Sequence, residues 1–122
     1  VYTAAHAVVR ETRSEAEDYY EYYAVAEADK KAAQGFIEKL GASSPKVSAL
    51  QRAQVKRIAG GAGTFPLIGS VKDVVEQLVE VKKSGFQGIG ISFVDYLVEV
   101  PFFAKNVLPH LRKAGVARPF NL

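Results

Sequence analysis

The chain has 122 residues, 48% hydrophobic and 24% charged, with a net charge of +3 and no cysteine. That length fits one ordinary domain with a buried core, and the missing thiols exclude disulfides and cysteine metal sites, as suits a reducing, cytoplasmic setting. No apolar run approaches the ~20 residues that cross a bilayer, no secretory leader is visible, and the start at Val1 rather than Met reads as a piece of something longer.

The charge is uneven. Residues 1–29 hold two basic and seven acidic side chains (net −5), and the remainder hold fourteen and six (net +8). A basic surface suits an anion such as a phosphorylated cofactor, and solvated helix faces of opposite sign account for the same numbers. Nucleic acid is not expected as a partner, because the basic residues are scattered and no binding motif accompanies them.

Val1 to Arg10 is short, small and partly β-branched, and reads as a strand. A helix follows, capped by Thr12 or Ser14, each with a glutamate three residues on (Glu15 and Glu17). Ala16, Tyr19, Tyr20 and Tyr23 share one face, a stripe that reads as half-buried packing with wet hydroxyls. Asp29 to Leu40 is a second helix, with Ala33, Phe36, Ile37 and Leu40 as its apolar face and Gly41 as its stop. Ser44 and Pro45 restart a helix, and Leu50, Ala53, Val55 and Ile58 carry it onward, so residues 29–59 form an inserted helical block.

Next comes a glycine loop, Gly60-Gly61-Ala62-Gly63-Thr64, and a short apolar strand ending at Ser70. Val71 to Ser84 is an amphipathic helix, with Val71, Val74, Val75, Leu78 and Val81 as its stripe. Ser70 and Asp73 cap its start, while Lys82, Lys83 and Gly85 suit its end. Gly88 to Phe93 is a buried strand. The last helix presents Leu97, Val100, Ala104, Val107, Leu108 and Leu111, and Pro101 and Pro109 should bend or split it. Gly115 closes it, and the tail Val116 to Leu122 shows no periodicity.

The order is βα, inserted helices, βα, βα, with no hairpin signal, so the fold class is α/β with parallel strands. Parallel sheets need both faces covered. Three strands do not close on themselves, and a (β/α)8 barrel takes about 200 residues or more, so the chain holds less than half of one.

Three segments resemble the C-terminal portion of the bacterial luciferase-like, flavin-dependent monooxygenases. The first is His6-Ala7-Val8-Val9-Arg10-Glu11-Thr12-Arg13-Ser14-Glu15-Ala16. The second is the Gly60–Thr64 loop with Leu67-Ile68-Gly69-Ser70, and the third is Gly85–Phe93 with Asn106-Val107-Leu108-Pro109-His110-Leu111. Tyr19 to Asp29 and Phe93-Val94-Asp95-Tyr96 resemble the branch with the alkanesulfonate and dimethylsulfone monooxygenases. The resemblance implies a (β/α)8 TIM barrel of which the chain, as a single incomplete segment (1–122), supplies strands six to eight. It also implies reduced FMN (FMNH2) as cofactor, with O2 and a small organic or organosulfur substrate. The missing strands would carry most flavin contacts, so the isolated chain is expected to be inactive.

By the same resemblance His6 is the candidate catalytic residue, near the flavin. Gly60, Gly61, Gly63, Thr64 and Ser92 are the candidate cofactor contacts, the glycine loop acting as a flexible cover that approaches a phosphate or anionic substrate. Arg57, Phe65 and Phe93 are the candidate substrate contacts. The branch's arginine before the histidine is Ala4 here, its arginine before the loop is Ala59, and its tyrosine after the last strand is Val94. Gly88, Gly90 and Ser92 alternate with Ile89, Ile91 and Phe93, small residues inward and large ones under helices. His110 reads as surface. Two lone histidines without carboxylates at ligand spacing give no metal site, and no phosphate loop of the Walker type occurs. A flavin reductase is an expected partner, and an open parallel edge should pair with a second copy or with the missing part of the barrel. The rival reading is a non-enzymatic α/β half-barrel assembly module.

Overall fold

A computed structural model describes residues 1–39 and 48–118, with backbone only for 48–52. The expected Gly41 stop, the Ser44-Pro45 helix start, the side chain of Leu50 and the tail beyond 118 lie outside the described residues.

The elements run β1 (Tyr2–Arg10), α1 (Arg13–Glu21), a π-helical turn (Tyr22–Ala26), α2 (Lys30–Lys39), α3 (Ser48–Gly61), β2 (Phe65–Ser70), α4 (Val71–Lys83), β3 (Gly88–Ser92), α5 (Tyr96–Asn106) and α6 (Leu108–Lys113). Side chains cap the helix starts where the sequence supplies them. Thr12 Oγ1 accepts from the Glu15 amide at 3.2 Å, and Asp29 Oδ1 accepts from the Ala32 amide at 2.9 Å. At α4 the reciprocal pair forms: Ser70 Oγ accepts from Asp73 N at 3.3 Å, and Asp73 Oδ2 accepts from Ser70 N at 2.9 Å. Gly85 leaves that helix with φ +94°, a left-handed position that favours glycine.

All three strands are parallel, in the order β2-β1-β3. Three barrel strands laid down in chain order would put the second in the middle, whereas here the first is central. The physical reason lies in the strands themselves. β1 has five consecutive buried residues, Ala5 to Val9, and only the middle place buries a strand on both faces. β2 contains Pro66, whose missing N–H confines it to an edge. The chain therefore crosses from β1 to β2 and back past β1 to β3. Right-handed crossovers in opposite directions place their helices on opposite faces.

Both faces are accordingly packed. Ala5, Ala7 and Val9 of β1 join Leu67, then Val74 and Leu78 of α4, and then Phe103, Val107 and Leu111 in one core cluster. Ile89, Ile91 and Phe93 pack against it, as the alternation in β3 predicts. On the other face, in register, stand Ala4 with Gly90, His6 with Pro66 and Ser92, and Val8 with Ile68. There α1 and α3 press on His6 through Tyr20 and Gly61.

The last helix departs from its expected face. Leu97 is 89% exposed and Val100 and Ala104 also face solvent, while Glu99, Phe103, Val107 and Leu111 point inward. Glu99 causes the rotation. Its Oε2 accepts from the amides of Val94 and Asp95 at 2.9 and 2.7 Å, and its Oε1 pairs with Arg10 at 3.0 Å. Pro109 splits the helix as expected, falling in the first turn of α6, whereas Pro101 stays inside α5.

Candidate functional site

His6 sits in the middle of β1 and is 2% exposed. Its Nδ1 lies 2.8 Å from Thr64 Oγ1, and that hydroxyl lies 2.6 Å from the Gly61 carbonyl oxygen. The Tyr20 ring stands 5.6 Å away, centroid to centroid. Nε2 is buried and has no partner among the described residues. Burial first, and then the positive charge of Arg57, hold the His6 pKa below its ordinary 6.5, so the imidazole is neutral at pH 7.

The glycines of the expected mobile loop are built in differently. Gly60 and Gly61 are the last residues of α3, not loop. A Cβ on Gly60 would fall 2.4 Å from the Tyr20 ring, and one on Gly61 would fall 2.1 Å from the His6 ring. Glycine is required there because helix and strand touch backbone to ring. The turn that follows is left-handed at Ala62 (φ +54°) and Gly63 (φ +81°). The amides of Ala62, Gly63 and Thr64 bond to the carbonyls of Ile58, Arg57 and Gly61. No amide from Ala62 to Thr64 is left for a phosphate, and a helix C-terminus presents carbonyls, which disfavour an anion. The anion cradle expected at Gly60, Gly61, Gly63 and Thr64 is therefore not formed.

The structure divides the remaining candidates between two places. His6, Gly60, Gly61, Ser92 and Phe93 surround one cavity of about 280 Å³, together with Tyr23. Tyr23 was expected only as packing; its hydroxyl donates to the Gly60 carbonyl at 3.1 Å, and burial raises its pKa. The π turn that carries it is invisible in the sequence pattern. Ser92 is the register partner of His6, and its hydroxyl donates to the Ala5 carbonyl at 3.3 Å. Phe93 also packs edge-on against Phe103 at 5.4 Å, so it belongs to the core as much as to the cavity.

Arg57, Gly63, Thr64 and Phe65 line a second, larger groove of about 1120 Å³ bordered by α4. Arg57 Nε donates to the Thr64 carbonyl at 3.0 Å. Phe65 is on the side of the sheet away from His6, in register with Ala5, so it does not share the His6 cavity. His110 is exposed, as expected.

A further polar cluster lies at the C-terminal ends of β1 and β3, where parallel sheets place their ligands. Arg10 bridges Glu99 and the Tyr19 ring, its guanidinium carbon 4.4 Å from the ring centroid. Sequence reading did not single out Glu99, and the position of Arg10 at a strand end is the signal that could have drawn attention to the cluster. Among the described residues no group of three or more His, Cys, Asp or Glu is placed to hold a metal ion, and no helix is long and apolar enough to cross a membrane.

A flavin of the kind the sequence resemblance implies would need a floor for its ring and a seat for its phosphate. Space for a ring is open at Gly90, where a Cβ would meet nothing within 4 Å, on the His6 side of the sheet. A seat for the phosphate is not formed at Ala62 to Thr64, where the amides are spent.

The parallel three-stranded α/β fold, read from the sequence as part of a (β/α)8 barrel, matches part of larger solved chains. DmoA from Hyphomicrobium sulfonivorans superposes with a TM-score of 0.72 at 18% identity, over 94% of this chain and 30% of that one. Riboflavin lyase RcaE, solved with modified FMN and its substrate riboflavin, superposes with a TM-score of 0.67 at 23% identity, over 94% of this chain and 31% of that one. The chain thus spans under a third of either. No family model and no curated protein matches the sequence.

Proposed function

We propose that this chain is the C-terminal part of a luciferase-like flavin-dependent monooxygenase, from the branch that handles small organosulfur compounds. It would contribute one wall of the site, with β1 and β3 as adjacent staves, while the rest of the barrel supplies the other strands and the phosphate seat. The observation that carries the reading is the neutral, buried His6 with an unpartnered Nε2, on a fold shared with an enzyme solved with modified FMN. Bound reduced FMN supplies the chemistry toward O2. His6 accepts a hydrogen bond or takes a proton at Nε2, Gly90 leaves space for a planar ring, and Tyr23 and Phe93 keep water from the imidazole. Without the remaining barrel the chain is inactive, and a flavin reductase serves the whole enzyme.

The test is an anaerobic titration of the folded chain with FMN and FMNH2. Saturable binding that is lost in His6→Ala supports the site. A folded chain that binds neither form overturns it. A specific observation favours a second reading, an assembly module: Tyr96, Leu97 and Val98 form an apolar start to α5 and are 56%, 89% and 65% exposed. Sedimentation showing only monomer at high concentration would count against that reading.

A further inference from the structure

Thr64 was expected to touch a cofactor, yet its hydroxyl is already committed at both ends. The Gly61 carbonyl oxygen can only accept, and it lies 2.6 Å from Thr64 Oγ1. The single hydroxyl proton therefore points to Gly61. Toward His6 Nδ1, at 2.8 Å, the hydroxyl oxygen can then only accept, so the proton between them belongs to the imidazole. The backbone is bent to keep this arrangement. Ala62, a residue with a Cβ, is held at φ +54° and Gly63 at φ +81°, which returns the Thr64 amide to the same Gly61 carbonyl at 3.0 Å.

We infer that Thr64 is a positioning residue that fixes His6 as its Nδ1–H tautomer and so leaves the lone pair on the buried Nε2. Tyr20 and Gly61 confine the ring, so it does not turn to offer a proton instead.

Long-range proton–nitrogen NMR on the ¹⁵N-labelled chain at pH 7.5 reads both ring nitrogens. In the wild type, His6 Nδ1 should show the protonated, pyrrole-like resonance and Nε2 the bare, pyridine-like one. Thr64→Val should lower the ratio of Nδ1–H to Nε2–H by about tenfold, the worth of one hydrogen bond, and Thr64→Ser should restore it. A wild-type spectrum with the proton on Nε2, or a Thr64→Val spectrum like wild type, overturns the lock. If Thr64→Val does not fold, the wild-type and Thr64→Ser spectra decide alone.

Discussion

Replacing Gly61 with alanine puts one methyl group where α3 meets β1. The new Cβ would lie 2.1 Å from two atoms of the His6 ring, far inside any real contact. Relief has two routes. The helix end can back away, an overpacking cost of about 1–3 kcal/mol. Otherwise His6 can move off Thr64, stranding a buried donor at a cost of about 1–3 kcal/mol. The added methyl returns about 0.5–1 kcal/mol by stiffening the last turn of the helix. The net loss is then about 1–2 kcal/mol. With a urea slope of about 2 kcal/mol/M for a chain of this size, the midpoint should fall by about 0.5–1 M. Gly35→Ala is the matched control, since a Cβ there meets nothing within 4 Å in the interior of α2. Its midpoint should rise, by about 0.25–0.5 M on the same slope. A Gly61→Ala midpoint at or above wild type would refute the claim that this glycine is demanded by packing.

Three further outcomes can be measured on the same chain. Arg13 first, then the amide and hydroxyl of Ser70, hold the Asp73 carboxyl well below the usual carboxylate range. Its contribution is therefore fully present above the unfolded value near pH 4 and lost as pH falls further, and Asp73→Asn should flatten the urea-midpoint profile below pH 4. His6 has the opposite charge but the same direction: its folded pKa is depressed, so protonation favours the unfolded chain and stability drops as pH falls through 6.5. A His6 resonance that titrates at or above 6.5 would contradict this. Glu99→Gln keeps the shape but removes the charge and leaves one oxygen to serve either Arg10 or the two loop amides, so it should cost about 1–3 kcal/mol in urea melts. A neutral result would show that the carboxylate does not set the face of α5.

What was legible in the chain was mostly local. Ser70 with Asp73, Thr12 with Glu15, and Gly85 after Lys83 each sit within one turn of the amide or bend they serve, so spacing alone reveals them. The small-large alternation of β3 was equally plain and correctly assigned its two sides. What failed was long-range. Gly60 and Gly61 looked like a flexible cover because the rings that crowd them, Tyr20 and His6, lie far earlier in the chain. The apolar pattern of α5 pointed to Leu97 and Val100, but two loop amides and Arg10 turned Glu99 inward, a choice no hydrophobic count registers. Pro66 was the readable clue to the strand order, since it bars β2 from the middle of the sheet.

The placing of β1 between its two partners also governs how the molecule comes together in time. Ala5 waits for Phe65 and Tyr2 for Gly88, so neither ladder closes until most of the intervening chain has been drawn in. Loop closure on that scale slows the search, and a half-assembled sheet leaves sticky, unmated β1 open to collision with other molecules. Refolding yield should therefore fall with concentration well before native stability does, and mutations that speed the docking of β2 would raise yield without raising the melting point.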